Sequence, residues 1–360
     1  MKHTAICIVL TTSLLLSGCG MLIDDDYVWE QNHSIPTAPD NGLNISASDY
    51  NQLYEAMTEC VESARSQISI SVALYDRDHL EPDISRAIET LLAENPVAAY
   101  AVQQIHYEVG TSGGEIVLAL QIDYIHNQSD IEKIILLNEN TTALDAIAAA
   151  LNNCDSGVVL RIHDYHETDF IQIVEDYATE HPEYVMEIPQ VSVNHYPKSG
   201  SDRVVELRFH YQNSRDTLRN MQSQVLTLFD AAEDMVSLTV QPRGKYTQMY
   251  VLLMELIQEY TLDTSITPAY SLFLYGVGDA KAFATVYSAM CRRAGLVCLN
   301  VVGTRNGEVW YWNIVQIDGV YYHVDLLRSK EEGQFREMTD AEMEGYVWDF
   351  SAYPLCGLKE

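Results

Sequence analysis

The sequence has few basic residues for its length, and this scarcity excludes one large class of partner. Its 360 residues include 21 Lys and Arg against 52 Asp and Glu, which gives a formal net charge of −31 at pH 7. Nucleic-acid binding depends on clustered Lys and Arg that neutralise phosphates. We therefore expect no nucleic-acid partner and no general affinity for anionic polymers, and we interpret the negative charge as a source of solubility.

Cysteine is also scarce, and no cysteine has the spacing of a metal ligand. Two lie near the start of the chain, Cys7 and Cys19. The others are Cys60, Cys154, Cys291, Cys298 and Cys356. Because these five are odd in number, they cannot all pair within one chain. They form no CxxC pair and lack histidines at zinc-ligand spacing, so the sequence predicts neither a structural metal nor a cofactor.

Long apolar runs are absent except at the start, where one short run has the form of an export signal. The residues Ala5 to Leu16 follow a short basic start and are too few to span a bilayer as a stable helix. They end in Leu16-Ser17-Gly18-Cys19, which resembles the lipobox of bacterial lipoproteins. The resemblance implies that residues 1–18 are removed, that Cys19 is lipidated, and that the folded chain is extracytoplasmic and anchored to a bacterial membrane. The alternative is an ordinary signal peptide with a chance cysteine, or a short membrane anchor.

The segment that follows Cys19 predicts a tether rather than a folded unit. Residues 19–47 contain a run of three aspartates together with Pro, Asn and Gly, and they show no lasting apolar period. Two or three acyl chains would hold such a tether stably, since each buried methylene contributes about 0.8 kcal/mol. The remaining chain is long enough for two or three domains.

One order of apolar patterns occurs twice between residues 48 and 216. Residues 48–130 show a helix, a strand, a second helix closed by Asn95-Pro96, and a hairpin with its turn at Gly110 to Gly114. Residues 142–216 repeat the order, and the second helix there is closed by His181-Pro182. The sequence therefore predicts two repeated α-β-α-β-β modules of the α+β class, which would serve binding or spacing.

A short histidine-rich stretch in the second module was considered as a metal site. Residues 163–166 contain two histidines and an aspartate. The corresponding loop of the first module, residues 76–79, does not repeat that pattern. We interpret residues 163–166 as a solvated loop.

The last third of the chain carries several separate anchors of one family pattern. They are Ala269-Tyr270, Gly278 to Ala284, Ala294-Gly295-Leu296, Trp310 to Val315, Asp318-Gly319 and Tyr321 to Asp325. This pattern resembles the bacterial transglutaminase-like family, whose core is related to papain-type cysteine proteases. The resemblance covers residues 245–360 and implies an α+β domain in which a cysteine, a histidine and an aspartate form the catalytic triad.

Two of the three triad positions do not hold the residue that the chemistry needs. The cysteine position is Ala280, the histidine position is Trp310, and only Asp325 remains. Alanine cannot form an acyl-enzyme, and indole cannot accept a proton near neutral pH. Loss of such groups in a comparable triad costs roughly a million-fold in turnover. The resemblance thus implies a pseudoenzyme. We expect the three residues to meet in space, with Trp310 over Ala280 and Asp325 accepting a hydrogen bond from an indole N–H or a hydroxyl.

Further side chains are candidates for the lining of the former cleft. They are Tyr311, Trp312, Asn313 and His323. The aromatic residues would fill the cleft or line a groove for a peptide or glycan, and core filling is the commoner case. His323 shares strand parity with Asp325 and is therefore expected near the cleft, although no thiol is expected beside it.

The function that follows is a membrane-anchored surface lipoprotein with a non-catalytic transglutaminase-like domain. It would bind or scaffold at the cell envelope, with the membrane as one partner through Cys19 and an envelope peptide, glycan or protein as another. Two alternatives stay open. One is an active cysteine-type peptidase or transglutaminase-like enzyme with an unrecognised nucleophile, and the other is a purely structural spacer.

Overall fold

The described part of the chain contains three four-stranded sheets that follow one another in sequence, with helices packed on them. The computed structural model describes residues 45–257 and 268–358. The predicted signal segment, Cys19 and nearly all of the predicted tether lie outside these residues. Among the described helices, none is long and apolar enough to cross a membrane. The architecture is mixed α+β, as predicted.

The first sheet belongs to the first predicted module. Its elements are β1 (Ile45–Ser46), α1 (Tyr50–Glu62), β2 (Gln67–Ser71), α2 (Arg77–Glu94), α3 (Pro96–Ala101), β3 (Val102–Ser112) and β4 (Glu115–Tyr124). The strand order is β1-β2-β4-β3, with β1 parallel to β2 and the other neighbours antiparallel. Helix α1 begins at Asp49, whose side chain accepts a hydrogen bond from the backbone N–H of Gln52.

The second sheet has the same strand order as the first. Its elements are α4 (Gln128–Ile131), β5 (Ile135–Leu136), α5 (Ala143–Asn152), β6 (Gly157–Ile162), α6 (Phe170–Glu180), β7 (Gln190–Tyr196) and β8 (Arg203–His210). The order is β5-β6-β8-β7, and β5 is again a two-residue parallel edge strand. Helices α2 and α6 end at Glu94 and Glu180, the points that the sequence comparison aligned. Whether the two modules are copies of one unit stays a hypothesis.

Several element boundaries differ from the sequence prediction. Strand β1 lies inside the predicted tether, because Ile45 and Ser46 pair with β2. Strand β2 ends at Ser71 because a turn closed by the N–H of Tyr75 on Val72 leads into α2. The hairpin turn is at Gly113-Gly114, where both residues have positive φ, so Gly110 belongs to β3.

The two modules also differ from each other and from their predicted limits. Pro96 begins α3, whereas Pro182 begins no helix. Strand β5 precedes the predicted start of the second module at residue 142 and pairs with β6.

The third sheet forms the C-terminal unit. Its elements are α7 (Arg215–Ser237), α8 (Pro242–Ile257), α9 (Pro268–Tyr275), α10 (Ala280–Arg293), β9 (Cys298–Arg305), β10 (Glu308–Ile317), β11 (Val320–Val324), α11 (Leu326–Glu331), a 3-10 turn (Asp340–Glu342) and β12 (Tyr346–Trp348). The antiparallel order is β11-β10-β9-β12. Helix α10 packs on one face of this sheet and is almost wholly buried.

Helix α7 was not predicted, and it moves the start of the C-terminal unit from residue 245 to residue 215. Its buried apolar residues recur at intervals of seven, four, three and four: Leu218, Val225, Phe229, Ala232 and Val236. This is one helical face, and it packs in the same core as α10. Cys154 and Met186 of the second module share that core, so the module and the C-terminal unit are packed together.

Candidate functional site

Three elements carry the three residues that the sequence analysis assigned to triad positions. Ala280 is the first residue of α10, Trp310 lies on β10, and Asp325 directly follows β11 and caps α11. Strands β10 and β11 pair antiparallel, so Asp325, fifteen residues after Trp310 in the sequence, lies close to it in space. The N-terminus of α10 is capped by Asp279, whose Oδ1 accepts a hydrogen bond from the N–H of Ala282 at 2.9 Å.

The carboxylate of Asp325 is almost fully buried and accepts four hydrogen bonds. Oδ1 accepts from the backbone N–H groups of Leu327 at 3.0 Å and Arg328 at 3.1 Å. Oδ2 accepts from Trp310 Nε1 at 2.8 Å and from the Tyr346 hydroxyl at 2.6 Å. A buried carboxylate is costly unless its oxygens are satisfied in this way. The sequence predicted an indole N–H or a hydroxyl as donor, and both kinds are present, although Tyr346 itself was not named.

The tyrosine donor to Asp325 was missed by sequence reasoning. Burial, followed by the charge of Asp325, raises the pKa of Tyr346 far above its ordinary value, so the hydroxyl stays protonated. Arg305 adds positive charge, with its nearest guanidinium nitrogen 3.8 Å from Asp325 Oδ2 and its guanidinium carbon 5.2 Å from the centre of the Trp310 ring. Tyr346 lies on a three-residue edge strand that no sequence pattern linked to the site.

Ala280 and Asp325 line one narrow gap that is too small for a water molecule. The other lining residues are Phe283, Ala284, Tyr311, Trp312, Asn313, Leu326 and Leu327. Trp310 is not among the residues that line this gap, and the expectation that it closes over Ala280 stays a prediction. Its indole instead turns to Asp325, while Tyr311, of opposite strand parity, faces the start of α10 with the Lys281 ammonium 5.7 Å from its ring centre.

Asn313 joins the helix to the sheet rather than facing an open cleft. It is fully buried. Its Nδ2 donates to the carbonyl of Ala284 at 2.9 Å and to Asn300 Oδ1 at 3.0 Å. The side chain therefore fixes α10 against β9 and β10.

His323 is not among the residues that line the gap beside Ala280 and Asp325, and its side chain contacts Trp312, Trp348 and Asp340. Strand β11 ends at Val324, so the alternation that suggested a shared face does not continue to Asp325. His323 Nδ1 accepts a hydrogen bond from Trp312 Nε1 at 3.0 Å, and Nε2 lies 2.8 Å from Asp340 Oδ1. Because an indole N–H can only donate, the imidazole proton is on Nε2 and points to Asp340.

A thiol that was not expected near His323 is present there. The donor atoms of His323, Asp340 and Cys356 all lie within 4.8 Å of one another. Both imidazole nitrogens are already engaged, however, so neither offers a lone pair to a metal ion or to the thiol proton. Burial, followed by the charge of Asp340, raises the pKa of the Cys356 thiol to about 12. The cluster thus has neither a free base nor a thiolate at neutral pH.

Comparisons with known proteins find distant structural similarity only. No protein-family model matches the chain, and no curated protein matches it. It is similar to a solved transglutaminase (TGase), with a TM-score of 0.26 and 10% identity over 55% of this chain and 56% of that one. It is also similar to a candidate protease from Parabacteroides distasonis, with a TM-score of 0.23 and 9% identity over 71% of this chain and 39% of that one. The chain therefore matches about half of the first structure and less of the second.

Proposed function

We propose that this chain is a membrane-anchored surface lipoprotein whose C-terminal, transglutaminase-like domain is non-catalytic and serves binding or scaffolding at a bacterial cell envelope. The observation that carries the proposal is the hydrogen bond of 2.8 Å from Trp310 Nε1 to Asp325 Oδ2. It joins the two positions at which the family pattern has its histidine and its aspartate.

An indole donor in place of an imidazole favours a structural role for this hydrogen bond. In a triad the carboxylate accepts a hydrogen bond from one imidazole nitrogen, and the other nitrogen takes the proton of the nucleophile. Indole has a single N–H and no second nitrogen that could accept a proton. Trp310 therefore keeps the contact that orients the base and lacks the base itself.

The surroundings of Ala280 support the same interpretation. No nucleophilic atom is present on that side chain, and the gap between Ala280 and Asp325 does not admit water. An acyl-transfer site needs room for a carbonyl group beside the nucleophile and near donors for its developing charge. Four donors beside the gap, from Trp310, Leu327, Arg328 and Tyr346, are already bound to the Asp325 carboxylate.

We further propose that the two preceding modules are copies of one unit that spaces the C-terminal domain from the tether. Their support is the shared strand order, including a short parallel edge strand in each. The membrane attachment is supported by the sequence Leu16-Ser17-Gly18-Cys19 after a short apolar run.

Mass spectrometry of the N-terminal peptide from native membranes tests the attachment. We expect a lipid-modified Cys19, and a Cys19→Ser variant should leave the membrane fraction. An unmodified Cys19, or an N-terminus elsewhere, would remove the lipoprotein proposal.

An assay of peptide hydrolysis and of amine transfer to glutaminyl peptides tests the lack of catalysis. We expect no turnover by the unaltered protein or by Ala280→Cys, and at most a trace by Ala280→Cys combined with Trp310→His. Turnover by the unaltered protein that disappears in Asp325→Ala would overturn the proposal. Turnover that survives Asp325→Ala but disappears in Cys356→Ser would instead indicate an enzyme with a different nucleophile.

A further inference from the structure

Two cysteines lie on adjacent elements at one end of the C-terminal core. Cys291 is in the last turn of α10, and Cys298 is the first residue of β9. The turn between them is tight, because the N–H of Leu296 donates to the carbonyl of Cys291 at 2.9 Å. The Ser288 hydroxyl donates to the carbonyl of Cys298 at 2.9 Å. Both contacts hold the start of β9 against the face of α10 that carries Cys291.

Both side chains face the same core: Cys291 is a buried member of it, and Cys298 packs against it from the start of β9. Cys291 is fully buried, and burial, followed by the neighbouring Cys298 thiol, raises the pKa of its thiol well above the ordinary value. The same core contains Tyr287 and Tyr246, whose hydroxyls donate to the carbonyls of Tyr246 at 2.9 Å and Val297 at 2.6 Å. No cation among these neighbours would hold a free thiolate, so the pair is not set up as a nucleophile.

The remaining described cysteines have no comparable neighbour. Cys60 lies in the core of the first module, and Cys356 lies beside His323. Cys154 is beside α7 in the shared core, where the charged groups near its thiol belong to arginines and Asp155. One pair within the five therefore leaves three single thiols, consistent with their odd number.

We propose that Cys291 and Cys298 form an intramolecular disulfide in the mature protein, which links the end of α10 to β9. This inference rests on the proposed location outside the cytoplasm, since disulfides persist in oxidising compartments and are rare in the cytosol.

The bond forms by exchange with an external disulfide, either of a small molecule or of an oxidoreductase. Cys298 is the partly exposed member of the pair, so its thiolate attacks the external disulfide and releases one thiol. The Cys291 thiolate then attacks the Cys298 sulfur of the mixed disulfide and releases the second thiol. Two protein thiols are oxidised by two electrons, and one external disulfide is reduced to two thiols. Because Cys291 is buried, the second step should be slow in the folded protein and faster during folding or at higher pH.

Peptide mapping after alkylation tests the pairing in the purified full chain. The protein is unfolded, refolded in a buffer of reduced and oxidised glutathione, quenched with iodoacetamide and digested. We expect a linked peptide that contains Cys291 and Cys298 and is lost in Cys291→Ser and in Cys298→Ser. The matched variants Cys60→Ser and Cys154→Ser should keep it. The linked form should also melt roughly 5 °C higher than the reduced form.

Two outcomes would overturn the disulfide, and they separate it from the proposed function. Full alkylation of both thiols after refolding, or linkage of either to another cysteine, would refute the pairing and leave the non-catalytic proposal unaffected. If the purified protein forms the bond but alkylation in living cells finds both thiols reduced, the native disulfide is refuted. An N-terminus without lipid in the same cells would then show that the proposed location had failed.

Discussion

At the scale of single residues, four donors from three elements converge on the Asp325 carboxylate. Two come from the backbone at the start of α11, one from β10 and one from β12. The side chain therefore caps a helix and joins two strands. Its contribution should be measurable as folding stability.

Asp325→Ala should lower the free energy of unfolding by about 3 kcal/mol, because it leaves the buried donors of Trp310 and Tyr346 without an acceptor. Urea unfolding followed by tryptophan fluorescence measures this, since the described tryptophans, Trp310, Trp312 and Trp348, all lie in the C-terminal unit. The exposed Glu344→Ala serves as the control and should change stability by less than about 0.5 kcal/mol. An unchanged midpoint in Asp325→Ala would contradict the structural role.

A second residue-scale prediction concerns pH and His323. Burial lowers the pKa of this imidazole, and Asp340 opposes the shift without cancelling it. The unfolded chain, with a pKa of about 6.5, then binds a proton at a pH where the folded protein does not. The contribution of His323 to folding stability should be complete above about pH 6.5. It should decrease as the pH falls toward the lower pKa of the folded state.

Unfolding in urea at a series of pH values between about 5 and 8 tests this. His323→Asn keeps an acceptor for Trp312 and removes the titrating group, so its stability should depend less on pH in that window. His195 contributes in the same direction, because burial lowers its pKa too. His195→Asn is therefore measured in parallel. Identical slopes in the unaltered protein and His323→Asn would show that His323 does not titrate as proposed.

At the scale of elements, α7 shows why part of the fold was missed. The helices and hairpins of the two modules have clear apolar periods and were placed correctly to within a few residues. Helix α7 also has a regular apolar face, but its outward positions are polar and it follows a strand that closes the second module. The local sequence does not show to which unit such a helix belongs. Its packing against α10 places it in the C-terminal unit.

Phe229→Ala tests whether α7 belongs to the C-terminal core. Phe229 is 1% exposed and shares the core of α10, so its truncation should cost about 3 kcal/mol in the transition followed by tryptophan fluorescence. Met235→Ala on the same helix is the matched control, since Met235 is 48% exposed. If both variants unfold at the same urea concentration as the unaltered protein, α7 does not stabilise this unit.

In the candidate site, contacts between residues that are close in sequence could be predicted. The spacing from Trp310 to Asp325 spans one hairpin, so their contact could be expected from a strand, a turn and a second strand. The Tyr346 contact could not, because it depends on how a distant edge strand returns to β9. The position of His323 was predicted wrongly because parity was extended past the end of β11.

At the scale of the whole molecule, the described residues belong to one compact unit, with ion pairs and shared cores between its parts. The second module is joined to α10 by Arg292, which lies 3.0 Å from Glu183 and also donates to the carbonyl of Glu180 at 2.6 Å. Glu183 is only 2% exposed. Contacts of this kind leave no periodic trace in the sequence, which is why the modules were predicted as separate units.

Arg292→Met should destabilise the protein by about 2 kcal/mol, because the buried Glu183 would lose its ion pair with Arg292 and keep only the His181 contact at 3.3 Å. Adding Glu183→Leu should recover part of the loss, since the unpaired charge is then removed. Calorimetric melting of the single and double variants measures both effects. Arg86→Met, which breaks an exposed pair with Asp83 in the first module, is the control. A double variant less stable than Arg292→Met would contradict the assignment of the penalty to Glu183.

Under the proposed function, the four hydrogen bonds to Asp325 have an evolutionary consequence. A residue without a catalytic role would ordinarily tolerate substitution, but a side chain without an acceptor oxygen at position 325 would leave two buried donors unpaired and remove the cap of α11. Selection for folding alone is enough to preserve it. Return to the ancestral chemistry is obstructed by the same contacts, since a histidine at position 310 must restore the indole hydrogen bond before a cysteine at position 280 has any base to use. Under the proposed function, replacement of Trp310 alone would therefore remove a hydrogen bond from Asp325 before any turnover could return.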